Sequence, residues 1–114
     1  MMEIVDILST EHYLWGDNCD GWHLLQRDDL SIITERVPAG ASERSHFHVR
    51  SRQFFYILTG EAMMIIDVKS KVLQAHQGIE IPPNVVHQFR NESSQEVTFI
   101  VISVPKSHGD RIDV

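Results

Sequence analysis

From Trp22 onward, turn signals recur at close spacing along this chain, and the runs between them show no helical period. The turns read as Arg27-Asp28-Asp29, Pro38-Ala39-Gly40, Thr59-Gly60, Asp67 to Ser70, Gln77-Gly78, Pro82-Pro83-Asn84 and Asn91 to Ser94. Between them lie short runs rich in Val, Ile, Phe and Thr, which suit a pleated, half-buried surface. Strands are expected over 22–26, 30–37, 46–49, 53–58, 62–68, 72–76, 79–81, 86–90 and 97–104. Many short strands with no helix between them indicate an all-β barrel or sandwich. Residues 21–105 are expected to form that barrel, with 1–20 as an N-terminal arm and 106–114 as a C-terminal tail.

A chain of 114 residues has room for one core and not two. Its formal charge of −6 argues against nonspecific nucleic-acid binding, which needs a basic face. No apolar run approaches the roughly 20 residues of a membrane-spanning helix, so no membrane association is expected. Met1-Met2-Glu3 is not a basic region followed by an apolar core, so no signal peptide is expected. Cys19 is the only cysteine, which excludes an intrachain disulfide and fits a reducing cytoplasm. It reads as a plain free thiol.

The chemistry of the chain concentrates in its histidines. His46 and His48 flank Phe47, and residues two apart on a strand share a face. Two imidazoles therefore project side by side, which is half of a metal site. Gln53 opens the next strand after the Arg50-Ser51-Arg52 bend and has the parity to point inward beside them. His87 follows the rigid Pro82-Pro83-Asn84 turn, and a barrel can bring its strand to the same place. Three histidines with one oxygen donor make a transition-metal set. His12, His23, His76 and His108 read as surface or satisfied core residues.

These residues fall into a known pattern. The segment from Gly40 to Gly60 resembles the first cupin motif, G-x5-H-x-H-x4-E-x6-G, with Gly40, His46, His48 and Gly60 in place. The second motif, G-x5-P-x-G-x2-H-x3-N, is matched by Pro82, His87 and Asn91 in type and mutual spacing. Gly78 resembles its leading glycine but sits two residues too close to Pro82. The resemblance covers about residues 30 to 105 and implies a small single-domain cupin, an all-β double-stranded β-helix or jelly-roll barrel. The family's usual glutamate ligand is Gln53 here, and a usual glycine is Asn84. Asn84 is a mild departure, since Asn tolerates left-handed backbone. Gln53 is a larger one. A neutral carbonyl oxygen replaces an anion, so a divalent ion held by His46, His48, His87 and Gln53 keeps its full double charge. Such a centre is a stronger Lewis acid and a better host for an anionic ligand, at some loss of metal affinity. Gln53 can instead hydrogen-bond a bound water, leaving three histidines and open positions.

Phe55 and Ile57 share parity with Gln53, and Phe89 shares it with His87, so all three face the interior as core or as pocket lining. Phe54, Tyr56 and Leu58 face the other way and need cover from a second sheet or a partner subunit. Glu35 and Tyr56 are acid–base candidates if they reach the pocket. The resemblance implies a metal-dependent enzyme of dioxygenase, isomerase or lyase type acting on a small molecule. The alternative is a non-catalytic binding or sensing barrel whose metal helps hold a ligand, and a purely structural metal site is a third reading. Imidazole ligands suit zinc, nickel, iron, copper or manganese without choosing among them. Small cupins of this kind are commonly dimers, and a homodimer is expected.

Overall fold

The computed structural model describes residues 2–114. Among them there are eleven strands and no helix: β1 (His12–Trp15), β2 (Cys19–Gln26), β3 (Ser31–Val37), β4 (His46–His48), β5 (Arg52–Thr59), β6 (Ala62–Ile66), β7 (Lys69–Leu73), β8 (Gly78–Ile81), β9 (His87–Arg90), β10 (Val97–Val104) and β11 (Arg111–Asp113). They form a six-stranded sheet in the order β1-β2-β3-β10-β5-β8 and a five-stranded sheet in the order β11-β4-β9-β6-β7. Every pairing is antiparallel. This is the jelly-roll barrel that the turn spacing and motif pattern imply.

The sheets meet through alternating side chains. Along β5, Gln53, Phe55 and Ile57 are buried while Phe54 is exposed and Tyr56 and Leu58 are half-buried. Val97, Phe99, Val101 and Ser103 do the same on β10, and Ala62 and Met64 on β6. An aromatic stack joins the two layers, with Phe89 and Phe99 ring centroids 4.2 Å apart and Phe55 6.2 Å from Phe89. Ile57, at 0% exposure, lies in the same core.

Local departures from the expected elements have local causes. Asp67 takes a left-handed φ of 56°, so the chain reverses over Asp67-Val68 and β7 begins at Lys69, ahead of the apolar Val72. Asn84 takes φ 67°, the left-handed conformation its glycine-like position requires. The segments read as an arm and a tail each carry strand: β1 and the start of β2 lie in the first, and β11 in the second. β11 pairs with β4, and Asp110 just before it accepts the Arg50 and Ser51 backbone N–H groups at 2.9 and 2.8 Å. The end of the chain is thereby fastened across the mouth of the barrel.

Candidate metal centre and its pocket

β4 is three residues long, and its alternation turns His46 and His48 inward with Phe47 between them. His87, the first residue of β9, is the register partner of His46. The turn before β9 is tied to β4, because the Asn84 N–H donates to the His48 carbonyl at 2.7 Å. Two strands and one turn thus fix the three imidazoles. Their centroids are 4.3 Å (His46–His87), 5.1 Å (His46–His48) and 5.9 Å (His48–His87) apart. One ligand nitrogen from each lies within 4.8 Å of the others, close enough for a single ion.

Their surroundings fit a metal. The Nδ1 atoms of His46 and His87 lie 2.9 Å from the Arg44 and Val85 carbonyls. A carbonyl only accepts, so both rings carry their proton on Nδ1 and leave Nε2 bare. His87 Nε2 and His48 Nδ1 are buried with no hydrogen-bond partner, a costly state for polar atoms that nothing binds. Burial pushes the His46 imidazole down to about 3 and His48 to about 4, and it also lowers His87. All three are neutral at ordinary pH, the state in which imidazole donates to a metal.

Gln53 approaches from the other sheet, on β5. Its Nε2 donates to Ser103 Oγ at 3.1 Å, which leaves Oε1 buried and without a partner. Gln53, His46 and His48 line a single cavity of about 340 Å³. Trp15, Ile33, Phe55 and Val101 give that cavity its apolar walls, and His108, Gly109 and Arg111 contribute from the end of the chain.

Two carboxyl groups share the cavity with the histidines. Glu35 projects from β3, where burial and then the charge of Glu43 raise its pKa to about 8. The Tyr13 hydroxyl donates to Glu35 Oε2 at 3.2 Å, and burial followed by Glu35 drives the phenol pKa up. Gly21 makes this contact possible. It is the register partner of both Tyr13 on β1 and Glu35 on β3, and a Cβ there would strike the Tyr13 ring. Glu43 is held by the Phe89 N–H at 2.9 Å and by Arg111 Nη1 at 3.5 Å, and its Oε1 lies 3.8 Å from His46 Nδ1. Burial raises Glu43 to about 7, against the lowering effect of those two partners.

The structure brings His46, His48 and His87 together, and Gln53 lines the same cavity as His46 and His48. Phe55 lines the cavity and packs 6.0 Å from the His87 ring, whereas Phe89 and Ile57 lie below it in the core. Glu35 reaches the pocket. Tyr56 does not: its hydroxyl lies on the outer face, 3.5 Å from His76 Nδ1. His12 pairs with Asp20 at 2.7 Å on the surface. His23 and His108 depart from the bland reading, since both line cavities. Sequence reasoning missed Tyr13 and Glu43. For Tyr13 a signal was present in the aromatic alternation Tyr13-Leu14-Trp15, which is a strand pattern.

Residues 33–103 match the model of the cupin domain family. An uncharacterised protein of Methanocaldococcus jannaschii is 31% identical over 70% of this chain and 65% of its own length. The H2HPP isomerase of Bacillus subtilis is 34% identical over 67% of this chain. The chain covers slightly under two thirds of the first of these relatives and about a third (32%) of the second. Among solved structures, the polyketide cyclase RemF of Streptomyces resistomycificus superposes with a TM-score of 0.85 at 18% identity, over all of this chain and 86% of that one. At that identity the likeness speaks to fold alone.

Proposed function

Because the chain belongs to the cupin domain family, we propose that it is a metal-dependent enzyme that moves a proton on a small oxygen-bearing molecule, of isomerase or lyase type. The observation that carries this reading is the shared cavity: neutral buried imidazoles at one end and the Glu35 carboxyl on a wall of the same space. His46, His48 and His87 would hold the ion, with Gln53 Oε1 as fourth ligand. A divalent ion there supplies Lewis acidity to a substrate carbonyl oxygen. The neutral donors leave that ion its full double charge, which favours substrates that are or become anionic.

The protein's own groups do the rest. Burial raises the Glu35 pKa to about 8, and a divalent ion in the same cavity would draw it back down towards neutrality, where a carboxyl both gives and takes a proton. Tyr13 fixes one carboxyl oxygen by its 3.2 Å hydrogen bond and leaves the other for the substrate. Trp15, Ile33, Phe55 and Val101 give the reacting carbon apolar walls. The relative whose name says isomerase supports this choice over oxygen chemistry. The proposal includes a homodimer formed through the outward face of β5, where Phe54 is 40% exposed, and a reducing cytoplasmic setting for the free thiol of Cys19.

The test pairs metal analysis of protein purified without added metal with proton exchange. Metal-loaded protein in heavy water is mixed with a panel of 2-oxo acids and followed by NMR. Deuterium should enter the carbon beside the carbonyl of at least one of them, and Glu35→Gln should abolish this while keeping the metal. Ligand binding with no exchange for any member would replace the enzyme by a binding or sensing barrel. Exchange that is unchanged in Glu35→Gln would remove Glu35 from its role.

A further inference from the structure

A second cavity, of about 170 Å³, adjoins the metal pocket and shares Ile33 and His108 with it. In a chain of formal charge −6 it is lined by Arg27, Lys106, His23 and His108, with Asp28 as its one carboxylate. The Asp28 side chain is 97% exposed and meets Lys106 Nζ at 3.0 Å from the solvent side. Two groups on the wall are buried and unsatisfied. His23 is 9% exposed and its Nδ1 has no partner, and Ser31 is 5% exposed and its Oγ has none. A buried polar atom without a partner is destabilising, and both residues line this cavity, so an occupant able to bond to both would relieve that cost.

We propose that this cavity is an oxyanion subsite that takes the carboxylate or phosphate group of a small molecule. Ser31 Oγ–H donates to it, as does the protonated nitrogen of His23, while Arg27 and Lys106 supply charge from the rim. His23 reaches this place on the inward side of β2, where the register shifts between His23 and Leu25. That bulge re-aims the strand beside Ser31 on β3. Ser31 is in turn the register partner of Ser103, which partners Gln53 on β5. A polar row therefore runs across three strands from the subsite to the candidate metal ligand. A molecule anchored by its anion here extends past His108 towards the histidine centre. That bridging role rests on the function proposed above, but anion binding itself does not.

The experiment separates the two. Isotope-labelled protein, treated with chelator and dialysed, is titrated with sodium phosphate and separately with sodium acetate, against sodium chloride at matched ionic strength. The imidazole signals of His23 and His108 should shift saturably with at least one anion, while those of His46, His48 and His87 stay in place. Ser31→Ala and Lys106→Met should each weaken that binding about tenfold, the scale of one charge-assisted hydrogen bond. Ser31→Ala removes one atom, so it reports on the subsite even where a His23 variant fails to fold. Saturation by phosphate alone, or by acetate alone, assigns the group. Shifts that merely track ionic strength, binding unchanged in both variants, or saturable shifts at His46, His48 and His87 instead would overturn the proposal. None of these outcomes depends on metal or turnover.

Discussion

Glu35→Gln tests whether the pocket holds a neutral acid. The substitution keeps the shape of the side chain and an oxygen that can accept the Tyr13 O–H, but it removes the titrating proton. In the folded protein the pKa of Glu35 rises from 4.5 to about 8. The sign follows from which state binds the proton more tightly. A raised folded pKa means that the stabilising contribution is complete below about pH 4.5 and is lost as pH rises through about 8. At about 1.4 kcal/mol for each tenfold change in proton affinity, the full gap corresponds to at most about 5 kcal/mol. The cavity mouth admits water, which screens the carboxylate and lowers this. Over pH 5 to 8 the native protein should lose about 2 to 3 kcal/mol relative to the Gln variant. The assay is urea unfolding of both proteins at half-unit pH steps after chelation, so that proton competition for metal plays no part. Glu43 titrates in both proteins, and because its charge is part of what raises Glu35, the difference also carries the coupling of the two carboxyls. A difference curve flat to within about 0.5 kcal/mol would show that Glu35 ionises as freely in the barrel as in the unfolded chain, and the proton-handling role would go with it.

His48→Ala should abolish stoichiometric metal binding and leave a soluble barrel, read by metal analysis beside far-ultraviolet circular dichroism; full retention of metal would sink the triad. Gln53→Glu should raise metal affinity by about tenfold or more, because an anion replaces a neutral oxygen, measured by competition with a chromophoric chelator. Ser103 can serve either side chain, since its hydroxyl rotates from accepting the Gln53 amide to donating to a carboxylate. Unchanged affinity would argue that residue 53 does not ligate. Gly21→Ala should push the Tyr13 ring off β2 and cost about 1–3 kcal/mol of stability. Water entering would lower the Glu35 pKa, while loss of the Tyr13 hydrogen bond would raise it. Burial is the larger cause, so a net fall is expected, and a rise would show that Tyr13 acts on the carboxyl by its hydrogen bond and not as a seal.

The barrel was legible because its strands are short, turn-bounded and alternating, and because a half-buried strand writes its two faces into the sequence. Gln53, Phe55 and Ile57 against Phe54, Tyr56 and Leu58 is that code in one strand. His46, His48 and His87 were legible for the same reason, helped by motif spacing. Parity is a binary code, however, and says nothing of depth along the barrel. It put Phe55, Ile57 and Phe89 inside alike, yet only Phe55 reaches the cavity. Nor does it locate groups brought in from elsewhere in the chain. Tyr13 enters from the opening segment over Gly21, and Arg111 and His108 enter from the closing one through β11 and Asp110. Polar end segments look like solvated tails when nothing in their own sequence says what they pair with.

The two sheets divide the work, and the division constrains how the site can change. The imidazoles stand on β4 and β9 of the five-stranded sheet, held by one register pair and one turn. The carboxyl, the amide and the subsite hydroxyl stand on β3 and β5 of the six-stranded sheet, linked by register through β10. Substitutions that alter the proton carrier or the anion subsite therefore leave the imidazole geometry alone, apart from Gln53, which faces the imidazoles from across the barrel. The end of the chain is where the two halves meet. β11 pairs with the histidine strand, Asp110 clamps the bend before β5, and His108 stands between the two cavities. A change there touches both cavities and the strand that carries His46 and His48 together, so a substitution at His108 or Asp110 should disturb metal binding and anion binding at once.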